Sequence, residues 1–388
     1  MSKSDFKRVR MGMVGGGVGA FMGAVHRSAS ALDGQFEMVC GAFNRDASKN
    51  VQTGQSLGIP EQRVYDSWRQ LIYGEANLPP NERMEVLVIV TPNHLHANIS
   101  EAAINAGFHV FCEKPASITL AEAQKVAQAL ETSDRLYGLA HTYLGYPMVW
   151  QAREMVLAGD LGRLRKIYVE YPQGWMSERQ EAEGDQQAAW RSDPARAGVS
   201  GCMADIGTHA FGMAEFVSGQ RITELCGELR AHLPGRRLDD DGVALFHTSE
   251  DASGVLMASQ VCVGEENALK IRLYGDKGGL EWHQMEPNSL LHRRLGEPPR
   301  MLRAGIDQPR LYPAARDRCR LPGGHPEGYL EAMGNLYQSF ACAVRQGMCG
   351  SAPGVPGIAE GLRGMAFIET IVESQKSDRK WLPIPDVG

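Results

Sequence analysis

Gly15-Gly16-Gly17-Val18-Gly19-Ala20 follows directly on Arg8-Val9-Arg10-Met11-Gly12-Met13-Val14 and runs into Phe21-Met22-Gly23-Ala24-Val25-His26-Arg27-Ser28. The first flank reads as a short strand and the second as a helix, so the glycine run is the turn that joins them. In the register Gly15-x-Gly17-x-x-Ala20, Gly15 permits a tight turn. Gly17 lets the backbone approach a pyrophosphate, and Ala20 lets helix and strand pack closely. Free N–H groups at the helix start, Val18 among them, would face the phosphates. Alone, such a run marks no more than a turn before a helix, and its context has to decide.

Downstream, strand and helix patterns alternate. Phe36 to Phe43 reads as a second strand and Ala47 to Leu57 as a helix. Arg63-Val64-Tyr65 reads as a strand, Ser67 to Tyr73 as a helix and Met84 to Val90 as a strand. A helix beginning near His96, the strand Gly107 to Cys112, a helix from Leu120 to Thr132 and the strand Leu136 to Ala140 complete the series. This alternation predicts a doubly wound parallel sheet, a Rossmann domain over residues 1–143. Ligands of such sheets sit at the carboxyl ends of the strands. At the end of the second strand an acidic residue would select NAD by bonding the ribose 2′-OH. Here Asn44 and Arg45 stand there, a pair that tolerates a 2′-phosphate and tilts the balance toward NADP. Asp46 leaves NAD open, because it could take the ribose contact or pair with Arg45.

The chain has 388 residues, 43% hydrophobic and 22% charged, which suits two globular domains. A net charge of -6 offers no footprint for nucleic acid. No apolar run approaches the ~20 residues a membrane helix needs, and the start does not read as a signal peptide. The eight cysteines are scattered without a C-x-x-C pair, so no metal site is expected, and a reducing, cytoplasmic setting fits. From about Leu164 longer strand patterns take over: Lys166 to Tyr171, Gly254 to Val261 and Leu269 to Gly275. Gly275 to Gly279 reads as a hairpin turn into Leu280-Glu281-Trp282. With helices sparse until Leu330 to Arg345 and Ile358 to Gln375, residues 144–388 are expected to form an α+β domain. The last helix should return toward the first domain. Trp175 to Gln187 reads as a polar, helix-like cover, and the tail after Pro383 as frayed.

Cys112-Glu113-Lys114-Pro115, Thr91-Pro92-Asn93-His94-Leu95-His96 and Gly201-Cys202-Met203-Ala204-Asp205-Ile206-Gly207-Thr208-His209, in this order after the glycine loop, resemble the glucose–fructose oxidoreductase/inositol dehydrogenase/rhizopine-catabolism (Gfo/Idh/MocA) family. The likeness runs from Met11 to about Trp381 and is weakest from Glu286 to Leu321. It implies an NAD(P)-dependent oxidoreductase of sugars, glycosides or cyclic polyols, with Lys114, Asp205 and His209 as the catalytic group. It also implies a second domain built on an open, mostly antiparallel sheet with helices on one face. The exposed face of that sheet would form a homodimer or homotetramer contact. Pro115 would be cis in such a turn.

The chemistry asks for these residue types independently. Oxidising a secondary alcohol removes a hydride from carbon and a proton from the hydroxyl. An imidazole, with an ordinary pKa of about 6.5, suits the proton. Asp205 lies four residues before His209, so on a helix spanning Asp205 to Phe216 the two would share a face. The carboxylate could bind a neighbouring hydroxyl or orient the imidazole. Lys114 would place positive charge beside the developing alkoxide. Whether Lys114 or His209 formally takes the proton stays open, since the two could titrate as a pair.

Candidate cofactor contacts are Gly15, Gly17, Val18, Ala20, Asn44, Arg45, Thr91, Asn93, His96, Glu113, Lys114, Trp190 and Arg191. Asn93 would lie near the nicotinamide ribose. His96 also reads as a helix-start residue. Trp190-Arg191 resembles a family pair that lies near the cofactor. Tyr143, Tyr146 and His325 are substrate candidates, with core or hinge packing as the alternative for the tyrosines. His325 and Glu327 sit in a glycine-rich loop that could close over a polyol or simply start a helix. Two other functions share the fold: a dinucleotide-binding regulator without catalysis, and a nicotinamide-dependent glycosidase. The first predicts loss of Lys114, Asp205 or His209, and the second a departure from Glu-Lys-Pro. Neither is seen in the sequence.

Overall fold

The computed structural model describes residues 7–387, which fall into two compact units. Unit 1 takes residues up to 117, 121–140 and 333–361; unit 2 takes 118–120, 141–332 and the remainder from 362.

Unit 1 is the alternating part of the sequence. Its order is β1 (Val9–Gly15), α1 (Phe21–Leu32), β2 (Phe36–Ala42), α2 (Ala47–Ser56), α3 (Trp68–Ala76), β3 (Val86–Val90), α4 (His96–Asn105), β4 (His109–Cys112), α5 (Leu120–Glu131) and β5 (Tyr137–Leu139). The strands are all parallel, in the order β2-β1-β3-β4-β5. Val86-Leu87-Val88-Ile89 is wholly buried, as expected of a strand covered by helices on both faces. The expected strand at Arg63-Val64-Tyr65 is not a full strand. Val64 makes a single parallel bridge to Gly41, and Tyr65 N–H donates to the Gly41 carbonyl at 2.8 Å. Its neighbours are instead held by Glu75. That fully buried carboxylate accepts from Arg63 at 2.6 and 3.0 Å, from the Tyr65 hydroxyl at 3.0 Å and from the Met84 amide at 2.7 Å. With this vestigial strand counted, the order is that of a dinucleotide-binding sheet, and the chain reverses direction across it between β1 and β3. Beneath β4, Phe111 stacks on Tyr337 at 4.6 Å and meets Phe340 edge-on at 5.3 Å.

Unit 2 adds α6 (Pro147–Leu157), β6 (Leu164–Pro172), α7 (Gln186–Arg191), α8 (Pro194–Ala197), α9 (Thr208–Ser218), β7 (Ile222–Arg230), β8 (Asp241–Thr248), β9 (Ser253–Ser259), β10 (Lys270–Gly275), β11 (Gly278–His283), β12 (Ser289–Arg294), β13 (Arg300–Arg303) and α10 (Pro313–Arg316). The chain closes with α11 (Tyr329–Arg345), α12 (Ile358–Lys376) and β14 (Leu382–Pro383). Residues 333–345 of α11 belong to unit 1, and residues 362–376 of α12 to unit 2. The nine strands form one sheet, β13-β12-β11-β10-β6-β9-β8-β7-β14, antiparallel except for β6 beside β9. Helices α6 and α9 lie on one face, joined at β7 by α12, whose Ser374 hydroxyl accepts from the Gly227 amide at 3.0 Å.

Three expectations are corrected here. Trp175 to Gln187 is a run of turns, with helix only from Gln186. Its polar residues are tied down by Arg236, which reaches Glu181 at 3.2 Å and the Glu178 carbonyl at 2.9 Å. The tail does not fray after Pro383: Ile384 is buried, and its amide donates to the Thr223 carbonyl at 2.8 Å. Helices are also less sparse than expected, because α6 and α9 cover the sheet. Among the described residues no helix is long and apolar enough to cross a membrane, and no group of three His, Cys, Asp or Glu could hold a metal ion.

Candidate active site

The glycine turn forms at the carboxyl end of β1. Gly15 has φ +79°, and a Cβ there would stand 2.3 Å from the Val90 carbonyl oxygen, so only glycine lets β1 and β3 close at the reversal point. At Gly17 a Cβ would come within 3.0 Å of the Phe43 carbonyl oxygen and fill the cradle. Two details differ from the sequence reading. The close helix–strand contact is made by Gly23, where a Cβ would lie 2.1 Å from the Gly16 carbonyl oxygen; Ala20 instead caps α1 in extended conformation. The Val18 amide is also taken, donating to Thr53 Oγ1 at 3.2 Å. Helix α1 has no side-chain cap, so its first amides suit an anion. A glycine cradle beside an uncapped helix start fits a dinucleotide pyrophosphate.

At the end of β2, Asn44 Oδ1 accepts from the Asp46 amide at 3.0 Å, and Asp46 Oδ1 caps α2 through the Lys49 amide at 3.1 Å. Arg45 is exposed. At the end of β3, Thr91 Oγ1 is buried with no partner, and Asn93 is nearly buried in the short turn Asn93–Leu95. His96 points inward, fully buried, with both ring nitrogens on backbone carbonyls, so its ring does not face a ligand.

Glu113, expected among the cofactor contacts, also turns inward. Its Oε1 lies 2.8 Å from His26 Nε2, and its Oε2 accepts the Lys114 amide at 3.2 Å. His26 Nδ1 is 2.6 Å from the Tyr337 hydroxyl. Burial pushes the Glu113 pKa up. The His26 hydrogen bond and the charges of His26, Lys114 and His96 outweigh it and hold the carboxyl below its ordinary range. A charged Glu113 therefore anchors the backbone of Lys114. The Lys114–Pro115 peptide is cis, as the resemblance implied.

Unit 2 holds the other candidates. Asp205 does not lie on a regular α-helix: Met203–Gly207 is a single π turn, and α9 starts at Thr208. Such turns are frequent at functional sites. Asp205 Oδ2 accepts from Arg191 Nε and from Gln260 Nε2, both at 3.0 Å. The Arg191 guanidinium stacks over Trp190 at 4.3 Å, and its Nη1 donates to Gln187 Oε1 at 2.8 Å. Just before the turn, Asp239 accepts from the amides of Gly201 and Met203 at 2.8 and 2.9 Å and from the Ser200 hydroxyl at 3.0 Å.

His209 is walled by rings. Tyr143 meets it edge-on at 4.8 Å, His141 at 5.3 Å and Tyr171 at 6.2 Å. The Tyr143 and Tyr171 hydroxyls are 2.5 Å apart. Tyr171 donates to Asn267 Oδ1 at 2.6 Å, and Asn267 Nδ2 donates to Tyr143 at 2.9 Å. Gln173 Nε2 joins Asn267 Oδ1 at 2.6 Å. Burial pushes both phenols up, so they stay neutral donors.

The remaining substrate candidates do not gather here. Tyr146 is buried against Trp282 at 5.4 Å, a packing role. His325 is exposed, its Nδ1 3.2 Å from the Pro322 carbonyl. Glu327 is buried and folds its own loop by accepting the Arg320 and Leu321 amides at 2.5 and 2.8 Å. Tyr171, Gln173, Gln260 and Asn267 were not found from sequence. They lie at or near the ends of three strands, Tyr171 and Gln173 at the end of β6, Gln260 after β9 and Asn267 before β10, and no short motif links the three.

Unit 1 carries a dinucleotide cradle and a lysine on a strand-end turn, and unit 2 a carboxylate and an imidazole four residues apart, residue types suited to chemistry on a CH–OH group. The profile "Oxidoreductase family, NAD-binding Rossmann fold" matches residues 9–141, and "GFO/IDH/MocA C-terminal domain" matches residues 149–281. The chain belongs to the Gfo/Idh/MocA family. It is similar to a crystal structure of an oxidoreductase from Sinorhizobium meliloti, at 41% identity and TM-score 0.86, over 97% of this chain and 99% of that one. It is similar to an inositol dehydrogenase homolog from Azotobacter vinelandii solved with NADH and myo-inositol, at 32% identity and TM-score 0.88, over 97% and 98%. The uncharacterized oxidoreductase YfiI of Bacillus subtilis is 31% identical over 97% of both chains.

Proposed function

We propose that the protein oxidises a secondary hydroxyl of an uncharged sugar, glycoside or cyclic polyol, or reduces the matching carbonyl. The observation that carries this reading is Asp205, fixed by Arg191 and Gln260, on the turn that leads into His209. The bound nicotinamide would supply the two-electron acceptor or donor. The glycine cradle at Gly15 and Gly17 and the first turn of α1 would hold the pyrophosphate. His209 would hold or receive the hydroxyl proton, Lys114 would stabilise the oxygen as it becomes anionic, and Asp205 would accept from a neighbouring hydroxyl. An uncharged substrate follows from the lining. Gln173, Gln260 and Asn267 are neutral, and Arg191 is already engaged by Asp205 and Gln187. The inositol bound to the Azotobacter homolog supports the same class.

For the cofactor, Asn44 and exposed Arg45 admit a 2′-phosphate, and Asp46 is occupied as a helix cap, which favours NADP. We place the protein in a reducing, cytoplasmic setting, consistent with its free cysteines, and as a homo-oligomer through the open sheet face.

The test is reduced-nicotinamide absorbance with NAD⁺ or NADP⁺ and a panel of inositols, monosaccharides and glycosides, with sugar phosphates as controls. Turnover should appear with neutral polyols, fall at least about tenfold with phosphorylated ones, and be lost in His209→Ala and Lys114→Ala. Tight dinucleotide binding without turnover across the panel would overturn the reading in favour of a regulator. A wild-type preference for NAD⁺, or an NADP⁺ preference unchanged in Arg45→Ala, would overturn the cofactor assignment.

A further inference from the structure

His96 opens α4 and is wholly buried. Its Nδ1 lies 2.7 Å from the Pro115 carbonyl oxygen, and its Nε2 lies 2.7 Å from the Thr91 carbonyl oxygen. A carbonyl only accepts, and a neutral imidazole has one N–H to donate. Both bonds can therefore be made only by the imidazolium. A neutral ring would leave one nitrogen lone pair buried against an oxygen.

The two carbonyls belong to the places that matter for the proposed chemistry. Thr91 follows β3 and leads to Asn93. Pro115 follows Lys114 on the turn after β4. We propose that His96 is a positioning residue, an imidazolium at neutral pH that clamps the Lys114–Pro115 turn to the end of β3 and fixes where Lys114 is presented. The kinetic part of this proposal rests on the reading of Lys114 as catalytic; the protonation does not.

The surroundings favour the cation. Burial alone would lower the pKa of His96. The neighbouring Cys112 thiol on β4 and the two carbonyls raise it to about 9. The charged groups on the same side are Glu113 and Lys114, which follow β4, and Glu113 feels the His96 charge. His26 of α1 bonds Glu113, and the Tyr137 hydroxyl of β5 adjoins Cys112. A buried cation thus sits near a buried carboxylate, and Lys114 lies in sequence between Glu113 and Pro115, whose carbonyl His96 holds.

The experiment has two arms on the full chain. In protein labelled with 15N-histidine, the His96 ring, assigned by comparison with His96→Met, should carry protons on both nitrogens at pH 8, where an ordinary histidine is neutral. A neutral His96 ring at that pH overturns the proposal. In steady-state kinetics His96→Met, of similar size and without a donor, should lower kcat roughly tenfold to a hundredfold, with dinucleotide Kd little changed. His96→Gln, which keeps an N–H donor, should recover part of that loss. A His96→Met enzyme with wild-type kcat overturns the clamp. A wild-type protein with no turnover but a doubly protonated ring would instead refute the proposed function and leave the clamp standing.

Discussion

At the residue scale, two buried histidines of one unit titrate in opposite directions. His109 on β4 accepts the Leu136 amide through Nδ1 at 2.9 Å, so the fold needs it neutral. Burial and, next, Arg135 lower its pKa to about 4. The unfolded chain then binds the extra proton between pH 6.5 and 4, and the His109 contribution is lost as pH falls through that window. His96, raised to about 9, is the reverse case: its contribution is complete below pH 6.5 and is lost as pH rises toward 9. Each shift corresponds to something on the order of 3 kcal/mol. Chemical-denaturant titrations of the Rossmann unit's unfolding should therefore show greatest stability near pH 6 to 7. His109→Asn, which keeps an acceptor at the same reach, should flatten the acid limb alone, and His96→Met the alkaline limb alone. Identical pH profiles for the variants and wild type would refute both assignments. The sequence singled out Lys114, Asp205 and His209, because each sits in a motif. It misplaced His96, Glu113 and Val18, because a motif says that a residue type is needed at a position and not which way its side chain turns.

At the scale of elements, the parallel strands of the first unit were legible as continuous apolar runs. The failures were elements whose local signal is weak. Val64 makes only one bridge and needs the Arg63–Glu75–Tyr65 cluster to hold it. Strands β7, β8, β12 and β13 were not anticipated, since the buried positions of the first three are interspersed with exposed or half-buried ones and β13 has no buried position. The π turn was read as plain helix, because the extra residue it accommodates leaves no mark in composition. The entry to that turn is held by Asp239, which takes the Ser200 hydroxyl and Gly201 amide before it and the Met203 amide at its start. Asp239→Ala strands those donors in a buried place, at about 1–3 kcal/mol each where water cannot replace the bond. Calorimetry should show a loss of roughly 2–5 kcal/mol, and activity should fall with Asp205 displaced. Asp239→Asn keeps one acceptor and should lose less. Full stability in the alanine variant would mean that the π turn is held from elsewhere.

For the whole molecule, the open face of the nine-stranded sheet bears on assembly. Register puts Tyr168 beside Val255, Val255 opposite Leu245, and Met257 opposite Val243. Val243 and Leu245 are 36% and 44% exposed, an apolar band across β6, β9 and β8. Charged residues border it: Lys166 and Glu170 on β6, Arg272 on β10, Glu224 and Glu228 on β7. An apolar patch with a charged rim is the pattern of a protein interface, and a flat sheet face suits a symmetric contact with a second copy, in which each residue meets the other's equivalent surface. A stable contact of this kind buries at least about 1,000 Å². Light scattering on the purified chain should therefore give a dimer or tetramer mass. Leu245→Glu combined with Val243→Glu would place like charges at the centre of the contact and should give a monomer. Because these side chains project from the face opposite α6 and α9, the monomer should still bind NAD(P)H with unchanged affinity. A monomeric wild type, or a double variant that stays oligomeric, would move the interface off this face.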